Sequence, residues 1–205
     1  MDDEKQMKLE TLGYELDNLK KLHVDLEKQM LNFDEIVPFE RQRTAEIYSP
    51  RLLNMMLVCG AQIDAVTRLI AKRCGFNHND HIPPLIRKIN EKTVLSNFQI
   101  ISIPHKLQFT PFTRDLEFWD AYNELKHELQ EKQFKITYTR VMDGFAALAT
   151  LHYLAGQLVA VRDENITNVL DRQNWIPYTM IINKDGNSMF WESSLFRILH
   201  VYRSY

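Results

Sequence analysis

The segment SPRLLNMMLVCGAQIDAVTRLIAKRCG, residues 49–75, carries its own start and stop signals. Ser49 is a residue of the N-cap type. Pro50 follows at the first helical position, where a missing N–H has no partner to lose. Gly75 supplies the left-handed residue on which many helices end. Between them Leu52, Leu53, Met55, Met56, Leu57, Val58, Ile63, Val66, Leu69 and Ile70 lie almost all round the helix, so it is predicted to be buried on most sides. Asp64, Arg68 and Lys72, spaced by four, form its polar stripe. Such a helix needs other elements packed around it. The predicted fold class is therefore all-α: a bundle of about four to five main helices with small β-hairpin additions.

Towards the N-terminus, Leu9, Leu12, Leu16, Leu19, His23, Leu26 and Met30 alternate spacings of three and four inside a predicted helix over residues 3–31. This is either an amphipathic helix packed on its own domain, the plainer reading, or a dimer seam in which His23 sets the register. Towards the C-terminus, residues 77–81 read as a polar turn. His78, Asp80 and His81 are metal-capable types, but they lack the spacing of a four-ligand cluster, and a simple loop is the better reading. Residues 83–91 predict a short helix, and residues 94–112 two short strands around a turn at Pro104. Residues 114–132 and 139–161 predict two more helices. Residues 175–192 suggest a hairpin around Lys184-Asp185-Gly186-Asn187, and the apolar tail from Ser194 to Tyr205 must pack somewhere. Residues 1–162 thus form the bundle, with residues 163–205 packed on the same domain.

The chain has 205 residues, 45% of them hydrophobic and 25% charged, enough for a core without staples. The net charge of −2 gives no global basic field, although residues 1–67 are acidic and residues 68–140 mildly basic. Cys59 and Cys74 fall on one predicted helix, roughly 22 Å apart at about 1.5 Å per residue, so they cannot bridge each other. The uncharged stretch from Gly144 to Val161 touches the lower length limit for a membrane span. Its alanines, Thr150, His152 and Gln157 favour a core helix instead. The acidic start MDDEKQMKLE lacks the apolar run of a signal peptide, and the expected location is cytoplasmic.

One stretch groups chemically useful side chains: FWDAYNELKHEL, residues 118–129. Phe118, Tyr122, Leu125 and Leu129, spaced 4, 3, 4, make its buried stripe. Trp119, Asn123, Lys126 and His127 share the neighbouring stripe, with Asn123 and His127 four apart. Imidazole moves protons near neutral pH, an ammonium stabilises charge developing on a phosphate, and an amide orients either. The plainer reading is a surface histidine beside Glu124 and Glu128. No phosphate loop, nucleophile elbow or paired-cysteine motif occurs, and Ser, His and Asp residues follow no signature.

Y-N-E-L-K-H at 122–127, followed by GFAALATLHYLAG at 144–156, resembles the HEPN superfamily, in particular prokaryotic members of unknown role with a Y-N-x-x-K-H motif. The resemblance extends to Ile47-Tyr48-Ser49-Pro50 opening a helix, to Gln62-Ile63-Asp64 and to Phe118-Trp119, and covers roughly residues 45–160. It implies a homodimeric helical bundle. Active members are metal-independent RNases with an R-N-x-x-x-H type motif whose site is shared between two subunits. By resemblance, His127 matches the catalytic histidine and Asn123 the asparagine, while Tyr122 stands where the arginine should be. Lys126, on the same face, is the residue that could replace that cation. The resulting expectation is a HEPN-like homodimer acting on RNA in prokaryotic defence or toxin systems. Its site would be His127, Lys126, Asn123 and Tyr122, with no cofactor, no metal and no membrane partner. The alternative is a non-catalytic homodimeric scaffold or a nucleic-acid or nucleotide-binding module of the same fold. A membrane-associated helical protein is a third.

Overall fold

The computed structural model describes residues 3–44, 46–93, 95–113, 115–128, 135–160, 179–182, 188–191 and 193–201. Five helices occur among them: α1 (Asp3–Asp34), α2 (Pro50–Cys74), α3 (Ile82–Thr93), α4 (Glu117–His127) and α5 (Tyr138–Ala160). Five strands accompany them: β1 (Phe98–Ser102), β2 (Gln108–Phe109), β3 (Thr179–Ile182), β4 (Ser188–Trp191) and β5 (Phe196–Val201). The architecture is an all-α bundle with small β additions.

The signals around α2 act as predicted. Ser49 Oγ accepts the Leu52 N–H at 3.1 Å, Pro50 opens the helix, and Gly75 ends it at φ 76°. The N–H groups of Gly75 and Phe76 return to the carbonyls of Lys72 and Ala71, closing the last turn. By length and composition α2 is the one helix among the described residues apolar enough to cross a membrane, and just over half of its most apolar stretch is buried inside the molecule. The Ala/Leu helix α5 is enclosed along nearly all its described length, as a core helix should be. It approaches α2 closely: a Cβ on Gly144 would stand 3.5 Å from Cys59 Sγ. Both cysteines are free and buried.

The α1 seam packs on the chain's own core. Leu16, His23, Leu26 and Met30 are fully or almost fully buried, and Leu12 and Leu19 lean on the same cluster. The Leu9 side chain lies outside the described residues.

β1 pairs antiparallel with β2 on one side and with β5 on the other, in the order β2-β1-β5. Phe98, Ile100 and Ser102 of β1 face inward in alternation. Phe109 meets Phe196 edge-on at 5.6 Å, and Phe98 meets Tyr153 of α5 at 5.8 Å. Residues 196–201 of the tail therefore do pack, as the third strand of a sheet whose other two strands were expected as a pair; residues 202–205 lie outside the described residues. β3 and β4 pair antiparallel from Thr179 opposite Trp191 to Ile182 opposite Ser188. The Lys184–Asn187 turn lies outside the described residues.

Candidate functional site

The predicted constellation lies on α4, which is shorter than expected. The sequence suggested a helix over residues 114–132, but the described helix starts at Glu117 and ends at His127. Glu128 leaves helical geometry at φ −134° and ψ 48°, and its N–H returns to the Glu124 carbonyl at 2.8 Å. Glu117 and Asp120 in the first turn, with Lys126 and His127 in the last, complement the helix dipole. Phe118, Trp119, Ala121, Tyr122 and Leu125 are buried. Trp119 thus belongs to the packed face rather than the polar stripe. Asn123 is half-buried, and Lys126 and His127 are exposed. Leu129 lies outside the described residues.

Tyr122 serves packing. Its ring sits where a Cβ on Gly60 of α2 would be, only 2.2 Å from the ring Cδ2, so α4 docks against α2 through a glycine. The ring also meets Trp119 at 5.1 Å. Burial, and then the charge of Asp64, raises the phenol pKa above its ordinary value. A lone glycine inside a long apolar helix was the available signal for this close approach.

Arg68 of the α2 stripe is tied down. Its Nε and Nη2 donate to the two oxygens of Asp64 at 2.8 and 3.0 Å, and its Nη1 donates to the carbonyls of His78 and Asp80. Lys88 donates to Asp80 at 2.6 Å. The 77–81 turn is thereby stitched to two helices. Among the described residues no group of three or more His, Cys, Asp or Glu side chains is placed to hold a metal.

Two buried polar clusters escaped the sequence reading. The first joins the end of α1 to the β1–β2 turn and the start of α5. Asp34 Oδ1 accepts the Phe39 N–H at 2.8 Å and the Tyr138 hydroxyl at 2.9 Å, and lies 2.8 Å from His105 Nε2. His105 Nδ1 is 2.7 Å from Ser102 Oγ. The turn that presents His105 contains Lys106 at φ 58°, a left-handed conformation held by its N–H bond to the Ser102 carbonyl. The order Ser–His–Asp is that of a nucleophilic triad, but Ser102 is 0% exposed, so no substrate carbonyl reaches its oxygen. The cluster is a knot of satisfied bonds. No sequence signature marks it because its members come from residues 34, 102, 105 and 138.

The second cluster lies between α1, α5 and the segment before β5. Lys20, His23 and Glu27 share one buried face of α1. The His23 and His152 rings lie 4.9 Å apart. His23 Nε2 is 3.0 Å from Glu27 Oε1, and the Glu27 carboxylate also accepts from the Ser193 hydroxyl and from the Ser194 N–H at 2.8 Å. Burial, followed by the neighbouring His23 and Lys20, pushes the His152 pKa well below the ordinary imidazole range. His23 at a seam position and His152 in the apolar helix were the sequence signals, each seen singly and read as unrelated.

No protein-family model matches this chain, and neither a curated protein nor a solved structure shows significant similarity to it.

Proposed function

We propose that this chain is a HEPN-like protein that acts on RNA through the exposed end of α4. Its roles would follow the resemblance: His127 as general acid/base, Lys126 as the cation at the phosphate and Asn123 as the orienting amide. A second copy would bring a matching pair across a homodimer, in a prokaryotic defence or toxin setting. The observation that supports this reading is the contrast on α4 itself. Phe118, Trp119, Tyr122 and Leu125 anchor one side in the core, while Lys126 and His127 stand in solvent one turn from Asn123. A helix end anchored by its buried face and carrying an exposed imidazole and ammonium is suited to proton transfer beside a phosphate.

One observation favours the non-catalytic alternative, an RNA-binding or scaffolding module. Tyr122, at the position of the family's arginine, is buried against Gly60, and Arg68 on the neighbouring helix is engaged by Asp64 and two carbonyls. Lys126 would then have to take the place of that arginine at the phosphate, as a point charge rather than a fork. The deciding experiment incubates the purified chain with single-stranded and structured RNA across pH 6–8. Cleavage that survives chelator, leaves cyclic phosphate ends and falls about 10²–10⁴-fold in His127→Ala supports the enzyme. RNA binding that weakens in Lys126→Ala without any cleavage selects the binding module. Neither cleavage nor binding would sink both RNA readings.

A further inference from the structure

The second buried cluster differs from the first in having open valences. Lys20 is only 5% exposed, and among the described residues its Nζ makes no hydrogen bond. The Thr67 Oγ1 of α2, also fully buried, makes none either. Helix contacts place the two at one level of the bundle. Lys72 of α2 reaches Glu15 of α1, and Arg73 reaches the Leu158 carbonyl of α5. Five or six residues back from those contacts, along antiparallel α1 and parallel α5, Lys20, Thr67 and His152 fall at the same height of the bundle. The interaction of Lys20 and His23 with His152 agrees with that level.

The charges in this layer do not balance by themselves. Glu27 is the buried carboxylate among the described residues there, and both its oxygens already take donors from His23, Ser193 and Ser194. Asp17 attracts Lys20 only from the half-exposed edge of α1 and makes no hydrogen bond to it. A buried ammonium with no acceptor among the described residues and only a half-exposed carboxylate to balance it is rare in folded proteins, because most of its desolvation is uncompensated.

We propose that the layer formed by Lys20, Thr67 and His152 is a binding site for a small inorganic anion, of the size of chloride or phosphate. Lys20 supplies the charge and N–H donors, and the Thr67 hydroxyl supplies a further donor. The His23 and His152 rings close the layer from α1 and α5. Burial lowers the Lys20 ammonium to about 8, with Asp17 opposing, so the amine is still mostly charged at neutral pH and selects an anion. This site is separate from the end of α4 and stands whether or not the RNA reading does.

The test is thermal unfolding of the full chain in a buffer of large organic anions, titrated in separate arms with chloride and with phosphate. A saturable rise in Tm of about 3–6 °C at ten times Kd is expected for the wild type. Lys20→Met should lack it, and Lys20→Arg should keep it. An equal rise in the wild type and Lys20→Met would be a general salt effect and would overturn the site. So would no rise in either arm, which would leave the layer to water. If Lys20→Met does not fold, bromide diffused into wild-type crystals decides: an anomalous peak within about 3.5 Å of Nζ supports the site, and its absence overturns it.

Discussion

The two buried polar clusters invite comparison because they share composition but not completeness. In the Asp34 knot, one carboxylate oxygen gathers a backbone N–H, a phenol and an imidazole, and that imidazole engages a serine. In the Lys20 layer, the carboxylate of Glu27 is equally well served, yet the ammonium about two turns away is not. A closed network rigidifies and specifies a core, whereas an open one is either a cost or a place for something else. Histidine chemistry alone therefore does not distinguish structure from site. The count of unsatisfied partners does.

Breaking the closed knot should have the largest effect. Asp34→Ala strands three donors in a mostly buried place and is expected to cost roughly 3–5 kcal/mol by denaturant unfolding. A loss under about 1 kcal/mol would show that the knot is ornamental. Removing the open charge should act in the opposite direction. In anion-poor buffer near neutral pH, Lys20→Met is expected to stabilise the chain by roughly 1–4 kcal/mol, because an uncompensated buried charge disappears.

The pH dependence sharpens that second expectation. The Lys20 pKa falls from 10.5 to about 8 on folding. Between those values the unfolded chain binds more protons than the folded one, so this group makes stability rise with pH from about 8 to 10.5. Lys20→Met should lack that increment in paired melts. Asp17, His23, Glu27 and His152 surround the group and are common to both proteins, so only the difference between the two curves is diagnostic. Equal slopes would remove Lys20 as the cause.

A third substitution tests packing rather than polarity. Gly60→Ala places a methyl inside the Tyr122 ring and should cost about 1–3 kcal/mol by thermal melting, as α4 is displaced from α2. If RNA activity exists, it should fall in step, since α4 carries His127. The smallest effect on stability is expected for His127→Ala, within about 0.5 kcal/mol, because that side chain is exposed. A larger loss in a melting experiment would move His127 from the working surface to the structural class of His105.

Much of the helical frame was legible in sequence, because caps and periodicity are local. Ser49, Pro50 and Gly75 specify α2 from its own residues. The α1 seam showed which side chains go inward, but a heptad pattern cannot say whether the partner is the same chain or another; Leu16, Leu26 and Met30 meet their own core. The helix expected over residues 114–132 is interrupted at Glu128, a break that residues of good helix propensity do not announce; residues 129–132 lie outside the described residues. For the candidate site, the sequence correctly grouped Asn123, Lys126 and His127 on one helix. It also put Tyr122 on the buried stripe, but it set Trp119 on the polar one, and it could not reveal that Gly60 is what lets the Tyr122 ring dock on α2. Both polar clusters were invisible for the same reason: their hydrogen-bonded partners lie up to 167 residues apart.

The pairing of β5 with β1 has a consequence for how the chain is made. β1 is the middle strand of its sheet, and the partner for its second edge, β5, is synthesised only after all five described helices. Until residues 196–201 emerge, that edge presents open N–H and C=O groups, a template for any other extended segment nearby. Over the same interval the Glu27 carboxylate waits for Ser193 and Ser194. Residues 193–201 therefore act as a closing clasp: they cover the open edge of β1 and supply the donors that Glu27 takes, so a chain in which they have not yet docked carries an aggregation-prone edge.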